Sequence, residues 1–325
     1  MKKVILILSI LTFVVLISSQ AFAITVGFSS FQMGNDWNIQ LWEGAKELFD
    51  SYGWKVIHTN AQADTSKQLT ALEGFLSSKV DAVVVGGGQG NALEPAVKNL
   101  EDAGIPVITV DIASPSSQLS LIPNNYQSTE AISLFIVNKL KGRGKIAHLT
   151  IPGFDWYTVV IRDEVADLIF KIEGVDNLGI LDSGLADAVQ KSMNAVSSTL
   201  LSNPDLKAVY CSWGMPAIGA VKAIRKMKAE KKVVVVCTDA DRAVLLEMMK
   251  ADSPLGAVAA QVPTLMGKMS AEYINKIVVE KADVPGVVYP PMYIVTKEPD
   301  LVPPGIKTLT PDEAWDLIYP GAPKE

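Results

Sequence analysis

Hydrophobic positions along this chain follow two periods in alternation. Short runs of β-branched and other apolar residues, of the kind buried on both faces, are separated by stretches with apolar residues at helical spacing. Ile24–Phe28, Trp54–Thr59, Asp81–Val85 and Ile105–Val110 read as strands. Between them, Asn38–Tyr52 puts Leu41, Ala45, Leu48 and Phe49 on one helical face, and Ser66–Ser78 does so with Leu69, Leu72 and Leu76. Ala92–Ala103 is a helix stopped by Gly104. The pattern then restarts. Helices are predicted over Glu130–Leu140, Val160–Ile172, Ala188–Ser202, Pro216–Lys228 and Arg242–Lys250. Strands are predicted over Lys145–Thr150, Leu178–Asp182, Ala208–Cys211, Lys232–Thr238 and Leu255–Gln261. A long helix, Thr264–Val279, precedes a run from Val287 to Val295 that Pro290-Pro291 breaks. Leu301–Ile306 reads as extended, and Thr310 with Glu313 forms a capping box for a short helix.

Buried strands alternating with helices of ten or so residues make a parallel sheet with crossovers. Two such runs follow one another with similar order and length. The fold class is therefore α/β, with two doubly wound parallel-sheet lobes joined by a multi-strand hinge. The junction falls near Asn124-Asn125. The late helix and the proline-split strand find places if the chain crosses between lobes more than once. Residues 24–123 plus 263–289 are expected to form one lobe, 124–262 plus 290–310 the other, and 311–325 an extension without an evident function.

Ahead of this alternation stands a segment of a different kind. Met1, Lys2 and Lys3 give a basic start, Val4 to Ile17 is almost unbroken hydrocarbon, and Ala21-Phe22-Ala23 is a small-x-small cleavage site. Residues 1–23 read as a secretory signal peptide cleaved near Ala23, too short to span a bilayer and remain there. The mature chain is then expected in the periplasm, away from ATP and NAD pools, so its Rossmann-like pattern points to small-molecule capture. The balance of 29 basic and 35 acidic residues, a formal charge of -6, argues against a nucleic-acid partner. His58 and His148 are far apart on strand-like segments and read as satisfied strand residues. With Cys211 and Cys237 outside any CxxC pair, no metal-cluster spacing exists and no metal or cofactor is expected. The two cysteines read as buried thiols; an oxidising compartment permits a disulfide, which neighbouring parallel strands seldom accommodate. Gly86-Gly87-Gly88-Gln89-Gly90 matches no nucleotide-loop spacing and reads as a tight strand-to-helix turn.

Ligands of open parallel sheets bind beyond the carboxyl ends of strands, where helix N-termini converge. Those ends carry Ser29 and Ser30, Gly86 to Gln89, Asp111, Asp155 and Trp156, Asp182, Ser212 and Trp213, Asp239, and Gln261. Carboxylates and amides make paired hydrogen bonds to vicinal hydroxyls, and indoles cover the CH faces of a sugar ring. The composition suits a neutral polyhydroxylated ligand.

Particular stretches add to this: the opening strand with Ser29, Asn35-Asp36-Trp37, Gly104 through Asp111, Asn124-Asn125, Ala217-Ile218-Gly219-Ala220, Thr238-Asp239 and Ala260-Gln261-Val262-Pro263. In order and spacing the chain resembles the type I periplasmic substrate-binding proteins of sugar ABC transporters, of the ribose/galactose-binding kind, to about Thr296. The resemblance implies that Asp111 bonds sugar hydroxyls, with Asp239 as its partner from the other lobe. It implies polar ligand contacts from Ser29, Asn35, Arg162 and Gln261, and stacking by Trp37. Trp156 and Trp213 join the candidate site from their loop positions. Each carries a local alternative: Asp111 as cap of the Ala113-Ser114-Pro115 turn, Asp239 as cap of the Arg242 helix, Arg162 as surface partner of Asp163 or Glu164, and the indoles as core. The family's arginine after the first aspartate is Ile112 here, and Trp213 stands where asparagine is common. This implies a ligand with fewer hydroxyls on that side than ribose, or different stereochemistry.

The function expected is a monomeric periplasmic receptor, not an enzyme, that captures a small neutral sugar or polyol by hinge closure and delivers it to an ABC permease. A module feeding a sensor kinase or chemoreceptor would use the same cleft. An extracytoplasmic carbohydrate enzyme would need Asp111 and Asp239 as an acid/base pair, but no nucleophile-base constellation accompanies them.

Overall fold

The computed structural model describes residues 24–324, so the leader expected over residues 1–23 lies outside the described residues. The first run folds as β1 (Thr25–Ser30), α1 (Asp36–Ser51), β2 (Lys55–Asn60), α2 (Thr65–Ser78), β3 (Ala82–Gly86), α3 (Gly90–Asp102), β4 (Val107–Val110) and β5 (Leu119–Leu121). Helices on both faces leave no residue of β3 or β4 in contact with solvent, which is why these strands are unbroken apolar runs. The second run is α4 (Asn125–Leu140), β6 (Lys145–Thr150), α5 (Tyr157–Ile172), β7 (Asp176–Asp182), α6 (Ala188–Ser202), β8 (Leu206–Cys211), α7 (Gly214–Lys226), β9 (Val234–Thr238), α8 (Arg242–Met249) and β10 (Leu255–Ala260). The chain ends with α9 (Pro263–Ile274), β11 (Val287–Val288), β12 (Tyr293–Thr296), β13 (Thr308–Leu309) and α10 (Pro311–Ile318).

Two sheets result, ordered β11-β5-β4-β3-β1-β2 and β13-β12-β10-β9-β8-β6-β7. All neighbours are parallel except β10 and β12. In each sheet the second strand lies on one side of the first and the third on the other, giving switch points between β1 and β3 and between β6 and β8. The chain passes between sheets three times: from β5 to β6, from β10 to β11, and from β11 to β12 across Pro290-Pro291. After the second passage α9 packs on α1, so closely that a Cβ on Gly44 would meet Thr264 O at 2.1 Å and one on Gly267 would meet Leu41 O at 2.1 Å.

Several expectations need correction. The strand β5 and the two-residue strand β13 are too short for periodicity to reveal, whereas the run split at Pro290-Pro291 forms β11 and β12. Leu301–Ile306 is not extended: Pro299–Leu301 is a 3-10 turn, and the strand falls later, at β13. The helix predicted from Glu130 begins at Asn125, because the Asn124 side chain accepts from Gln127 N. The long helix ends at Ile274 and continues as a π turn over Asn275–Val279. Trp42 and Trp54 pack, partly buried, against the first sheet's core, and Trp42 stacks on His58 at 3.9 Å. Cys211 and Cys237 sit opposite one another on β8 and β9 as free, buried thiols. No helix among the described residues is long and apolar enough to cross a membrane.

Candidate ligand-binding cavity

Architectural repetition places two aspartates at matching points. Asp111 follows β4 and Asp239 follows β9, the fourth strand of each run. Both have left-handed backbones, with φ of 61° and 72°. Each N–H bonds to the next strand, Asp111 N to Leu121 O and Asp239 N to Ala259 O, both at 2.9 Å. That bond holds a conformation costing about 1–3 kcal/mol in a residue other than glycine. Both side chains line one cavity of about 50 Å³ between the sheets' carboxyl ends. A water needs about 10–15 Å³ by this measure, so the cavity suits a ligand that displaces a few waters rather than an oligosaccharide.

Arg162 organises the charges. It is buried, its Nε donates to Asn125 Oδ1 at 2.8 Å and its Nη1 to Ser212 O at 3.0 Å, and it stands 3.6 Å from Asp239 Oδ2. The surface pairing with Asp163 or Glu164 is therefore not adopted. Asp111 Oδ2 accepts from Thr158 Oγ1 at 3.2 Å, while Oδ1 is buried without a protein partner. The Trp156 indole N–H faces the same carboxylate without reaching hydrogen-bond geometry. Burial raises the Asp111 carboxyl to about 7, against the pull of Arg162 and with a push from Asp239. Burial likewise raises Asp239, with Arg162 opposing. Asp241, also in the lining, is raised to about 8 by burial and by Asp239 and Asp36.

Of the predicted residues, the structure brings Asn35, Trp37, Asp111, Trp156, Arg162, Trp213 and Asp239 to this cavity. Asn35 also caps α1, its Oδ1 accepting from Asn38 N at 3.0 Å. Ser29 is not in the lining: β1 runs two residues past Phe28, so Ser29 is enclosed between β2 and β3. Gln261 is not in the lining either. Its amide is taken up within the protein, Oε1 accepting from Trp37 Nε1 at 2.8 Å and Nε2 donating to Asp239 Oδ1 at 3.1 Å, and it holds the two aromatic and acidic groups in place. Asp182 and Asp155, noted at strand ends, are exposed and pair with Lys191 and Asn91. Sequence reasoning missed Gln32, Asn38, Thr158 and Asp241. Asp241 lay two residues beyond Asp239 and could have been found as a helix N-cap, yet it makes no capping hydrogen bond.

One buried network has the connectivity of a nucleophilic triad. His148 Nε2 lies 3.0 Å from Ser212 Oγ and Nδ1 lies 3.0 Å from Asp167 Oδ1. Burial disfavours charge on this ring, yet hydrogen bonds to Asp163 and Asp167 raise its pKa overall. Ser212 is fully buried and donates to Asp163, so its hydroxyl is engaged away from any substrate. The network supports the Ser212 carbonyl that receives Arg162. Both His58, bonded to Ser30 Oγ at 2.9 Å, and His148 are satisfied strand residues. The glycine turn is tight as expected: Gly87 and Gly88 have φ of 68° and 130°, and a Cβ on Gly87 would come within 3.7 Å of Trp156.

Comparison with known proteins accords with this geometry. The pattern of the periplasmic binding protein domain matches residues 26–282. The ribose import binding protein of Bacillus subtilis strain 168 is 27% identical over 257 residues, covering 78% of this chain and 81% of the relative. Among solved structures, an ABC sugar transporter subunit from Rhodobacter sphaeroides superposes with a TM-score of 0.80 at 23% identity, over 84% of this chain and 98% of that one. An ABC transporter solute-binding protein from Agrobacterium vitis with bound allitol gives 0.80 at 22% identity, over 85% and 96%.

Proposed function

This chain belongs to the family of periplasmic binding protein domains, and from that premise we propose that it is a monomeric periplasmic receptor for a small sugar or polyol, handing its ligand to an ABC permease. The observation that carries the reading is the pair Asp111 and Asp239, set at matching strand ends of the two sheets and facing one small cavity across Arg162. Two carboxylates and a guanidinium offer charge-assisted hydrogen bonds to vicinal hydroxyls, and three indoles offer apolar surface to the carbon skeleton. The names of the Bacillus relative and the Agrobacterium structure point to ligands of the same chemistry. The family consists of binding proteins, and no step of bond cleavage is assigned to this cavity.

Capture proceeds by hinge closure. Residues 24–123 plus 263–289 act as one lobe, and Asn35, Trp37 and Asp111 meet the ligand from it. The other lobe, residues 124–262 plus 290–310, brings Thr158, Arg162, Trp213 and Asp239. Thr158 to Asp111, Trp37 to Gln261, Arg242 N to Asp36 at 3.1 Å and Asn91 to Asp155 are bonds between the lobes that latch the closed form. Closure excludes water, which strengthens each of these polar contacts. The leader is removed near Ala23. Thermal melting in the presence of pentoses, hexoses and alditols, with ribose and allitol first, tests the reading. At least one compound should raise the melting temperature by about 3 °C or more through ligand linkage. No shift with any of them would remove sugars and polyols from consideration.

A further inference from the structure

We propose that the ligand carries an ammonium group among its hydroxyls, drawn by Asp111 and Asp241, the lining carboxylates that Arg162 does not serve, so that the cavity selects an amino sugar or amino polyol over its uncharged counterpart. This rests on the sugar-or-polyol reading above and narrows it.

The lining holds three carboxylates, Asp111, Asp239 and Asp241, against one guanidinium, Arg162. Arg162 is committed to Asn125, to the Ser212 carbonyl and to Asp239. Asp111 and Asp241 are left without a dedicated cation. Ile112, buried, follows Asp111 and supplies none. Arg242, the neighbour of Asp241, turns its guanidinium onto the rings of Trp315 and Tyr319, at 5.3 and 5.4 Å. Asp241 makes no capping bond to α8, and Asp36 lies near it as a further carboxylate. Asp111 Oδ1, on a residue only 6% exposed, has no protein partner.

The indoles favour the same group. Trp37 donates its N–H to Gln261 at 2.8 Å and Trp213 donates to Ser183 Oγ at 3.4 Å, so what they offer a ligand is π surface. That surface covers CH groups of a neutral sugar, but it also attracts an ammonium through the ring quadrupole. Hydroxyls alone leave these carboxyls to take up protons instead of ionising, whereas an ammonium gives their charge a partner. Burial lifts Asp111 to about 7 and Asp241 to about 8, the response of carboxyls with too little positive charge nearby.

The test is calorimetric titration at pH 7 with matched pairs: four- to six-carbon alditols against their 1-amino-1-deoxy derivatives, and glucose and galactose against glucosamine and galactosamine. In the wild-type protein the amino member of the best pair should bind at least tenfold more tightly. In Asp241→Asn that advantage should shrink to less than threefold. Neutral compounds binding as well as or better than their amines would overturn the proposal and leave the sugar-or-polyol reading standing. Binding by neither member of any pair would overturn both. An amine preference that persists undiminished in Asp241→Asn would overturn the placement at Asp241. Should that variant not fold, the wild-type comparison decides alone.

Discussion

Asp111 and Asp239 occupy left-handed backbone at matching strand ends, and each is held there by a single main-chain bond. Replacing either by asparagine keeps the shape and removes the charge, so affinity for a hydroxylated ligand should fall by about 30-fold or more, the loss of roughly 2 kcal/mol of charge-assisted bonding, read by calorimetry. Asp241 predicts a pH effect on stability. Its carboxyl ionises at 3.8 in the ordinary state and at about 8 in the fold. Between those values the folded protein holds a proton that the unfolded chain has released, so this group lowers stability as pH rises from about 4 to 8. Asp241→Asn should therefore melt higher than wild type, with a gain larger at pH 8.5 than at pH 5, by about 2–4 °C for each kcal/mol relieved. A gain independent of pH would contradict the assignment. Asp111, Asp239 and Arg162 were legible because they end buried strands or enter a strand-following helix. Asp241, Thr158 and Asn38 were not, because within the sequence they read as ordinary helix-start residues. Gln261 lies outside the cavity lining, its amide taken up by Trp37 and Asp239, contacts more than twenty residues away that the sequence does not display.

Elements transmit these positions through close packing. The contact of α1 with α9 carries Asn35 and Trp37 at one end, and it tolerates no side chain at Gly44 or Gly267. Gly267→Ala must push two helix backbones apart and should cost about 1–3 kcal/mol, measured as a lower urea midpoint. The helix α10 ties the chain's end to the site. Its capping box of Thr310 and Glu313 is formed as the sequence implies. Trp315 is buried in the second sheet's core, and Tyr319 OH reaches Ala240 O at 3.3 Å and Asp36 Oδ2 at 3.4 Å. Trp315→Ala should cost about 3–5 kcal/mol in denaturant melts, whereas Tyr319→Phe should leave the fold intact and weaken closure. The alternating strands and helices up to Gln261 were readable because each buries an apolar stripe long enough to show its period. β5 and β13 were not, since two or three residues contain no period. The π turn after α9 broke an otherwise regular helical pattern in the same way.

At the scale of the molecule, three passages of chain join two sheets whose carboxyl ends face one cavity. Such a joint can bend without unfolding either sheet, and because the bonds of Thr158, Gln261 and Asp36 cross the cleft, opening it must break them. Small-angle scattering should record a smaller radius of gyration with a bound sugar or polyol than without. Asp111→Asn, with its latch to Thr158 weakened, should show less of this contraction at equal ligand concentration. The two-lobed plan was legible because both runs repeat the same order of elements; the cavity's charge was not, because it depends on which side chains the closed joint leaves unpaired. The most direct measurement is a crystal structure of the protein with the tightest-binding member of the sugar and polyol panel. The ligand should lie between the two sheets with hydroxyl or amino groups within 3.2 Å of both Asp111 and Asp239. A ligand seated elsewhere, or touching only one of the two aspartates in a closed molecule, would contradict the account.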